Sequence, residues 1–130
     1  FMEDIIHCTY QGNTQVEIAK EGCADTLHTE HDGKNRYFTP GDVLAGALGA
    51  CTLTMMEAVA ARRGKSLSGA QITLKPVFAP NAAGLQKISL LITLPEGTDE
   101  TMRQVYLSAA QNCPVHKSLN PAIEFDIQLQ

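Results

Sequence analysis

The sequence predicts an α+β domain of order βββ-α-ββ-α-β, and three observations carry that expectation. Short segments in which apolar and polar residues alternate lie at both ends of the chain. A long run of small and apolar residues, Pro40 to Arg63, fills the middle. A second periodic segment, opened by Thr98 and two acids, repeats its apolar residues at helical spacing. With 130 residues, 44% of them hydrophobic, the chain is long enough for one packed core and too short for two ordinary domains. Residues 1–130 are therefore read as a single domain.

Each element has its own signal. Gly12-Asn13 separates Ile5–Tyr10 from Thr14–Ala19, and Glu21-Gly22 separates the latter from Cys23–Thr29, which predicts three short strands in a meander. Val16 and Ile18 flank Glu17 as a strand buried on one face requires. Glu30 to Arg36 is polar and turn-rich, and reads as a connecting loop. The stretch from Pro40 to Arg63 then predicts a long central helix of about 35 Å. Thr39 can cap it, Pro40 suits its first position, Asp42 favours its positive end, and Gly64 stands where a left-handed C-terminal cap is expected. Its apolar residues fall on nearly every side, so it is expected to be buried all round, at the centre of the fold or of a dimer. Gly46, Ala47, Gly49, Ala50 and Ala58 are small enough for another backbone to approach closely.

Beyond that helix, Ala70–Phe78 and Leu85–Leu94 flank the turn Pro80-Asn81-Ala82-Ala83-Gly84 and predict a hairpin. Thr98 is expected to cap a second helix with an inner face of Met102, Val105, Tyr106, Ala109 and Cys113, interrupted by Pro114. Ile123, Phe125, Ile127 and Leu129 alternate with Glu124, Asp126 and Gln128 as a last strand.

Composition excludes several functions. Ten Lys and Arg against fourteen Asp and Glu give a net charge of −4, with no basic stripe for a nucleic acid. The most apolar stretch, Val43 to Met56, has only fourteen uncharged residues, short of the roughly 20 that span a bilayer, so no membrane span is expected. The start, Phe1-Met2-Glu3-Asp4, has neither the basic residues nor the apolar core of a secretion signal. A cytoplasmic location follows as the expectation, with four cysteines present as thiols rather than structural disulfides.

Two of those cysteines stand out. Cys51 lies in the middle of the long helix, and Cys113 precedes Pro114-Val115-His116. A buried cysteine is commonly only a small hydrophobe. If Pro114 opens a short helical segment over 114–119, however, Cys113 becomes its N-cap, a position that favours a thiolate. With a second thiol in reach, the two would form a redox pair. Cys8 and Cys23 have ordinary strand neighbours. His7, His28 and His31 show no ligand spacing and Cys113-x-x-His116 is half a zinc motif, so no metal and no other cofactor is expected. Gly-rich phosphate loops, serine nucleophile elbows and HExxH are absent from the sequence.

Thr39-Pro40-Gly41-Asp42-Val43-Leu44-Ala45-Gly46-Ala47-Leu48-Gly49-Ala50-Cys51-Thr52 resembles the first motif of the OsmC/Ohr family, of pattern P-x-E-L-x-x-x-A-x-x-x-C. Ala110-Gln111-Asn112-Cys113-Pro114-Val115-His116-Lys117-Ser118-Leu119 resembles its second, a small-residue helix end followed by C-P-V. The resemblance, which runs over residues 3 to 130, implies an OsmC-like fold and an intertwined homodimer with the cysteine-bearing helices at its centre. It implies a thiol peroxidase that reduces organic hydroperoxides in oxidative or osmotic stress defence. Cys51 would be the peroxidatic thiolate and Cys113 the resolving thiol, with the disulfide reopened by a dithiol reductant such as a lipoylated protein or a small thiol.

Two departures place the chain nearer the less characterised OsmC-like branch. Active branches carry a glutamate directly after the motif proline, where this chain has Gly41. Asp42 cannot simply substitute, because nine residues at roughly 100° each turn it about 180° away from Cys51. For the activating arginine, Arg36 in the polar loop is the nearest match. Without these partners, Cys51 in an apolar helix is expected to have a raised pKa. The alternative is a non-catalytic OsmC-like dimer that binds an apolar small molecule, its cysteines serving packing or redox sensing.

Overall fold

The computed structural model describes residues 3–130; Phe1 and Met2, where the reading of the N-terminus begins, lie outside the described residues. The observed order is β1 (Ile6–Gly12), β2 (Gln15–Lys20), β3 (Thr26–Thr29), α1 (Pro40–Arg62), β4 (Gln71–Phe78), β5 (Leu85–Thr93), α2 (Glu100–Gln111), α3 (Pro114–Ser118) and β6 (Glu124–Leu129). It is the α+β order that the sequence predicts, with the segment at Pro114 as a short helix of its own. Contacts divide the chain into a unit that ends at Leu44 and a unit of Ala45–Gln130.

In the first unit β1, β2 and β3 form an antiparallel meander in which Cys8, Ile18 and Leu27 lie side by side across the three strands. Asn13 and Thr14 turn the chain at positive φ. The third strand begins at Thr26 rather than Cys23, so Cys23 sits in the preceding turn, where its N–H donates to the Lys20 carbonyl. Glu30 and Phe38 close the polar loop, with the Glu30 N–H donating to the Phe38 carbonyl at 2.9 Å.

The second unit is built on a three-stranded sheet in which β4 and β5 are antiparallel and β5 and β6 are parallel. A parallel neighbour requires a crossover of a dozen or more residues, and α2 and α3 supply it. The inward side chains of β5, Ile88, Leu90 and Ile92, are buried. Ile92 packs in one cluster with Met56 and Ala60 of α1 and with Met102, Tyr106, Ala109 and Ala110 of α2. Ile88 and Leu90 join a second cluster with Ala45, Leu48 and Cys113.

α1 begins with a reciprocal cap. The Asp42 N–H donates to Thr39 Oγ1 at 3.1 Å, and the Thr39 N–H donates to the Asp42 carboxylate at 2.9 Å. It ends at Gly64, φ 66°, with the Lys65 N–H closing on the Ala60 carbonyl. The expectation that α1 is buried on all sides is not met within the chain. Its buried residues, Ala45, Leu48, Gly49, Thr52, Met56 and Ala60, form one stripe at helical spacing, and Leu44 is 38% exposed. By length and composition α1 could cross a membrane, but that stripe packs it as a core helix.

Two local assignments change. α2 is capped by Asp99, whose Oδ1 accepts from the Met102 N–H at 2.8 Å, whereas the Thr98 hydroxyl donates to the Pro95 carbonyl. Cys113 does not continue the α2 face. α2 ends at Gln111, and Cys113 is the N-cap residue of α3.

Candidate functional site

Cys51 lies midway along α1 and is half-buried. Leu48 and Thr52 beside it face the core, and the buried Thr52 hydroxyl donates to the Leu48 carbonyl at 2.8 Å, so no polar atom is left unpaired there. Cys51 packs against the cluster that holds Cys113, together with Val115, Leu119, Ile123 and Phe125. Two cysteines 62 positions apart in sequence are thereby brought to one apolar cluster.

The packing of α1 explains the approach. Gly49 sits over Leu74 of β4, so close that a Cβ at Gly49 would come within 2.8 Å of the Leu74 side chain. Cys113 is delivered from the other side, at the sharp break between α2 and α3, where Pro114 occupies the first helical position. Its thiol is fully buried and makes no capping hydrogen bond, so it serves the core rather than its own helix. All four cysteines are free thiols.

A hydrogen bond with the Cys113 thiol pushes the Cys51 pKa up, and burial adds to the rise. The backbone N–H of Val115, which donates to the Cys51 sulfur, opposes it. The rise agrees with the sequence expectation, but its largest cause is the second cysteine and not the apolar helix. Sequence reasoning missed the Val115 amide. A backbone N–H has no residue signature, and the one available signal was Pro114, which lacks an N–H and makes the next amide the first of the helix.

Arg36 is placed in the first unit, where its guanidinium donates to the Asp32 carboxylate at 2.7 Å. Asp32 also accepts from the Lys34 N–H at 2.9 Å. That backbone bond and Arg36 hold the Asp32 carboxyl below the usual carboxylate range. The Arg36 side chain is 64% exposed, and Asp32 is the carboxylate it pairs with. Gly41 supplies no side chain, and Asp42 is committed to the Thr39 cap. Among the described residues no group of three or more His, Cys, Asp and Glu is placed to hold a metal ion. His116 of the half-motif instead stacks on Phe125 with ring centroids 3.9 Å apart.

The sequence model of the OsmC-like protein family matches residues 32–128, which include both cysteine segments. The chain belongs to the OsmC-like family. Solved structures share the fold of this OsmC-like chain over nearly its full length. A Psychrobacter arcticus 273-4 protein, described as osmotic stress induced and of the detoxification response, is 23% identical, with 96% of this chain and 94% of that chain covered and a TM-score of 0.91. An OsmC-like protein from Mycoplasma pneumoniae is 14% identical over 99% and 96% of the chains, with a TM-score of 0.84. An organic hydroperoxide resistance protein from Elizabethkingia anophelis is 19% identical over 97% and 95%, with a TM-score of 0.73. No curated protein matches the sequence.

Proposed function

We propose that this OsmC-like protein is a cytoplasmic, homodimeric thiol peroxidase that reduces organic hydroperoxides in oxidative or osmotic stress defence. The observation that carries the reading is that two free thiols, Cys51 and Cys113, meet at one apolar cluster. The Cys51 thiolate attacks the terminal oxygen of ROOH. The O–O bond breaks, RO⁻ leaves and takes a proton to become the alcohol, and Cys51 becomes a sulfenic acid. The Cys113 thiol then attacks the Cys51 sulfur, which releases water and forms the disulfide. A dithiol reductant, a lipoylated protein or a small thiol, reopens it through a mixed disulfide and is itself oxidised. Apolar neighbours such as Met55, Leu119 and Phe125 suit an alkyl or aryl peroxide.

A second reading is favoured by the same site. Position 41 lacks a carboxylate and Cys113 raises the Cys51 pKa, which suits a non-catalytic dimer that holds an apolar molecule. The test is the rate of thiol loss on mixing reduced protein with cumene hydroperoxide. Wild type is expected to lose two thiols rapidly, Cys51→Ser none of that pair, and Cys113→Ser is expected to stop at a sulfenic acid. A rate no faster than that of a free thiol in all three proteins removes the peroxidase reading.

A further inference from the structure

Tyr106 of α2 is 2% exposed, and its hydroxyl has no hydrogen-bond partner among the described residues. A buried tyrosine ordinarily finds a partner for its O–H. Among the described residues the enclosed side-chain polar atom without a partner is His28 Nε2, so the Tyr106 oxygen is not sealed into the core. It reaches a cavity of about 160 Å³ that Tyr106 lines together with Met102, Pro95, Lys65, Glu96 and Asp99. Burial pushes the Tyr106 pKa up and Glu57 adds to the rise, so the phenol keeps its proton and can donate. Phenylalanine in its place would fill the core as well, so what the hydroxyl adds lies in the cavity.

The cavity lies within the second unit, and none of its lining residues belongs to the cluster that holds Cys51 and Cys113. Lys65 comes from the turn after α1, and Glu96 and Asp99 from the turn before α2. None of the three takes part in an ion pair among the described residues. Asp99 Oδ1 accepts from the Met102 N–H, which leaves the second carboxylate oxygen for a ligand. Drug-sized molecules need pockets of roughly 300–1,000 Å³, so this one takes a molecule of only a few heavy atoms. We propose that the cavity binds a small zwitterionic amino acid, its carboxylate held by Tyr106 and Lys65 and its ammonium by Asp99 and Glu96. Met102 and Pro95 supply apolar surface for a side chain the size of a methyl group.

The test is titration of the reduced, isotope-labelled full chain with L-alanine, read by nuclear magnetic resonance at the Gly97 and Thr98 amides. Those amides are expected to shift and saturate with a Kd of about 1 mM. Tyr106→Phe removes the hydroxyl and keeps the ring, and it is expected to weaken binding about tenfold, as is Lys65→Met. Acetate and methylammonium each carry one of the two charges and glycerol carries neither, so none of the three is expected to saturate the same amides at that concentration. Absence of saturation by L-alanine at about ten times that Kd overturns the proposal, and so does glycerol binding as tightly as L-alanine. Equal affinity in wild type and Tyr106→Phe overturns it as well. Should Tyr106→Phe lose the native amide spectrum, Lys65→Met decides, and unchanged affinity in that variant overturns the proposal.

Discussion

The two sheets are written in the same alternating code and end in opposite conditions. In the second unit Ile88 and Ile92 are 0% exposed, because α1 and α2 pack on that face. In the first unit Ile6, Leu27 and Tyr10 are 53%, 58% and 68% exposed. They share one face of the meander, since Ile6, Cys8 and Tyr10 alternate along β1 while Leu27 stands in register with Ile18 and Cys8. Alternation therefore reports that a strand has an apolar face. What covers that face is decided by the rest of the chain or by a partner.

The largest test of this contrast is a pair of truncations. Ile92→Ala leaves a cavity in a closed core and is expected to cost about 2–5 kcal/mol in urea unfolding. Leu27→Ala, on an open face, is expected to cost under about 1 kcal/mol. A Leu27→Ala cost that matches Ile92→Ala at high protein concentration, and falls on dilution, would mean that a second copy covers the meander. At the next size, Asp99→Ala is expected to lower stability by about 1 kcal/mol through the lost cap on α2. Thr98→Ala should cost less, and the reverse order would return the cap to Thr98.

The two faces of α1 supply a sharper version. A Cβ at Gly46 would meet nothing within 4 Å, so Gly46→Ala is expected to raise the unfolding free energy by about 1 kcal/mol through helix propensity. In Gly49→Ala that gain is offset by the push on Leu74. A destabilising Gly46→Ala would show another backbone lying against that face.

The smallest effect is electrostatic. The Cys51 pKa is raised in the fold, so its contribution to stability is present below the unfolded thiol value and is lost as pH rises through the folded one. Unfolding free energy is expected to begin falling above about pH 8.5, and less so in Cys51→Ser.

Element positions were legible because periodicity and caps are local. The limits of α1 follow from Thr39, Pro40 and Gly64, and the hairpin from its turn. The choice between Thr98 and Asp99 was not, since both are good capping residues and only the position of the Met102 N–H separates them. Nor could the strand pattern reveal that β6 runs parallel to β5. At the site the two cysteines were legible as types in a motif. The pairing of Arg36 with Asp32 and the donor from Val115 depend on loop and backbone conformation, which residue types do not record.

The parallel pairing of β6 has a consequence for the order of events in folding. The β4–β5 hairpin can close locally, whereas β6 must wait for the whole crossover through α2 and α3. Cys113 is carried by that crossover, so the two thiols are expected to meet only when the crossover packs back against α1. An incompletely folded chain exposes the same cysteines without the geometry that pairs them. Oxidant that arrives before β6 docks is expected to trap mismatched disulfides, which makes the finished fold itself the safeguard of the pair.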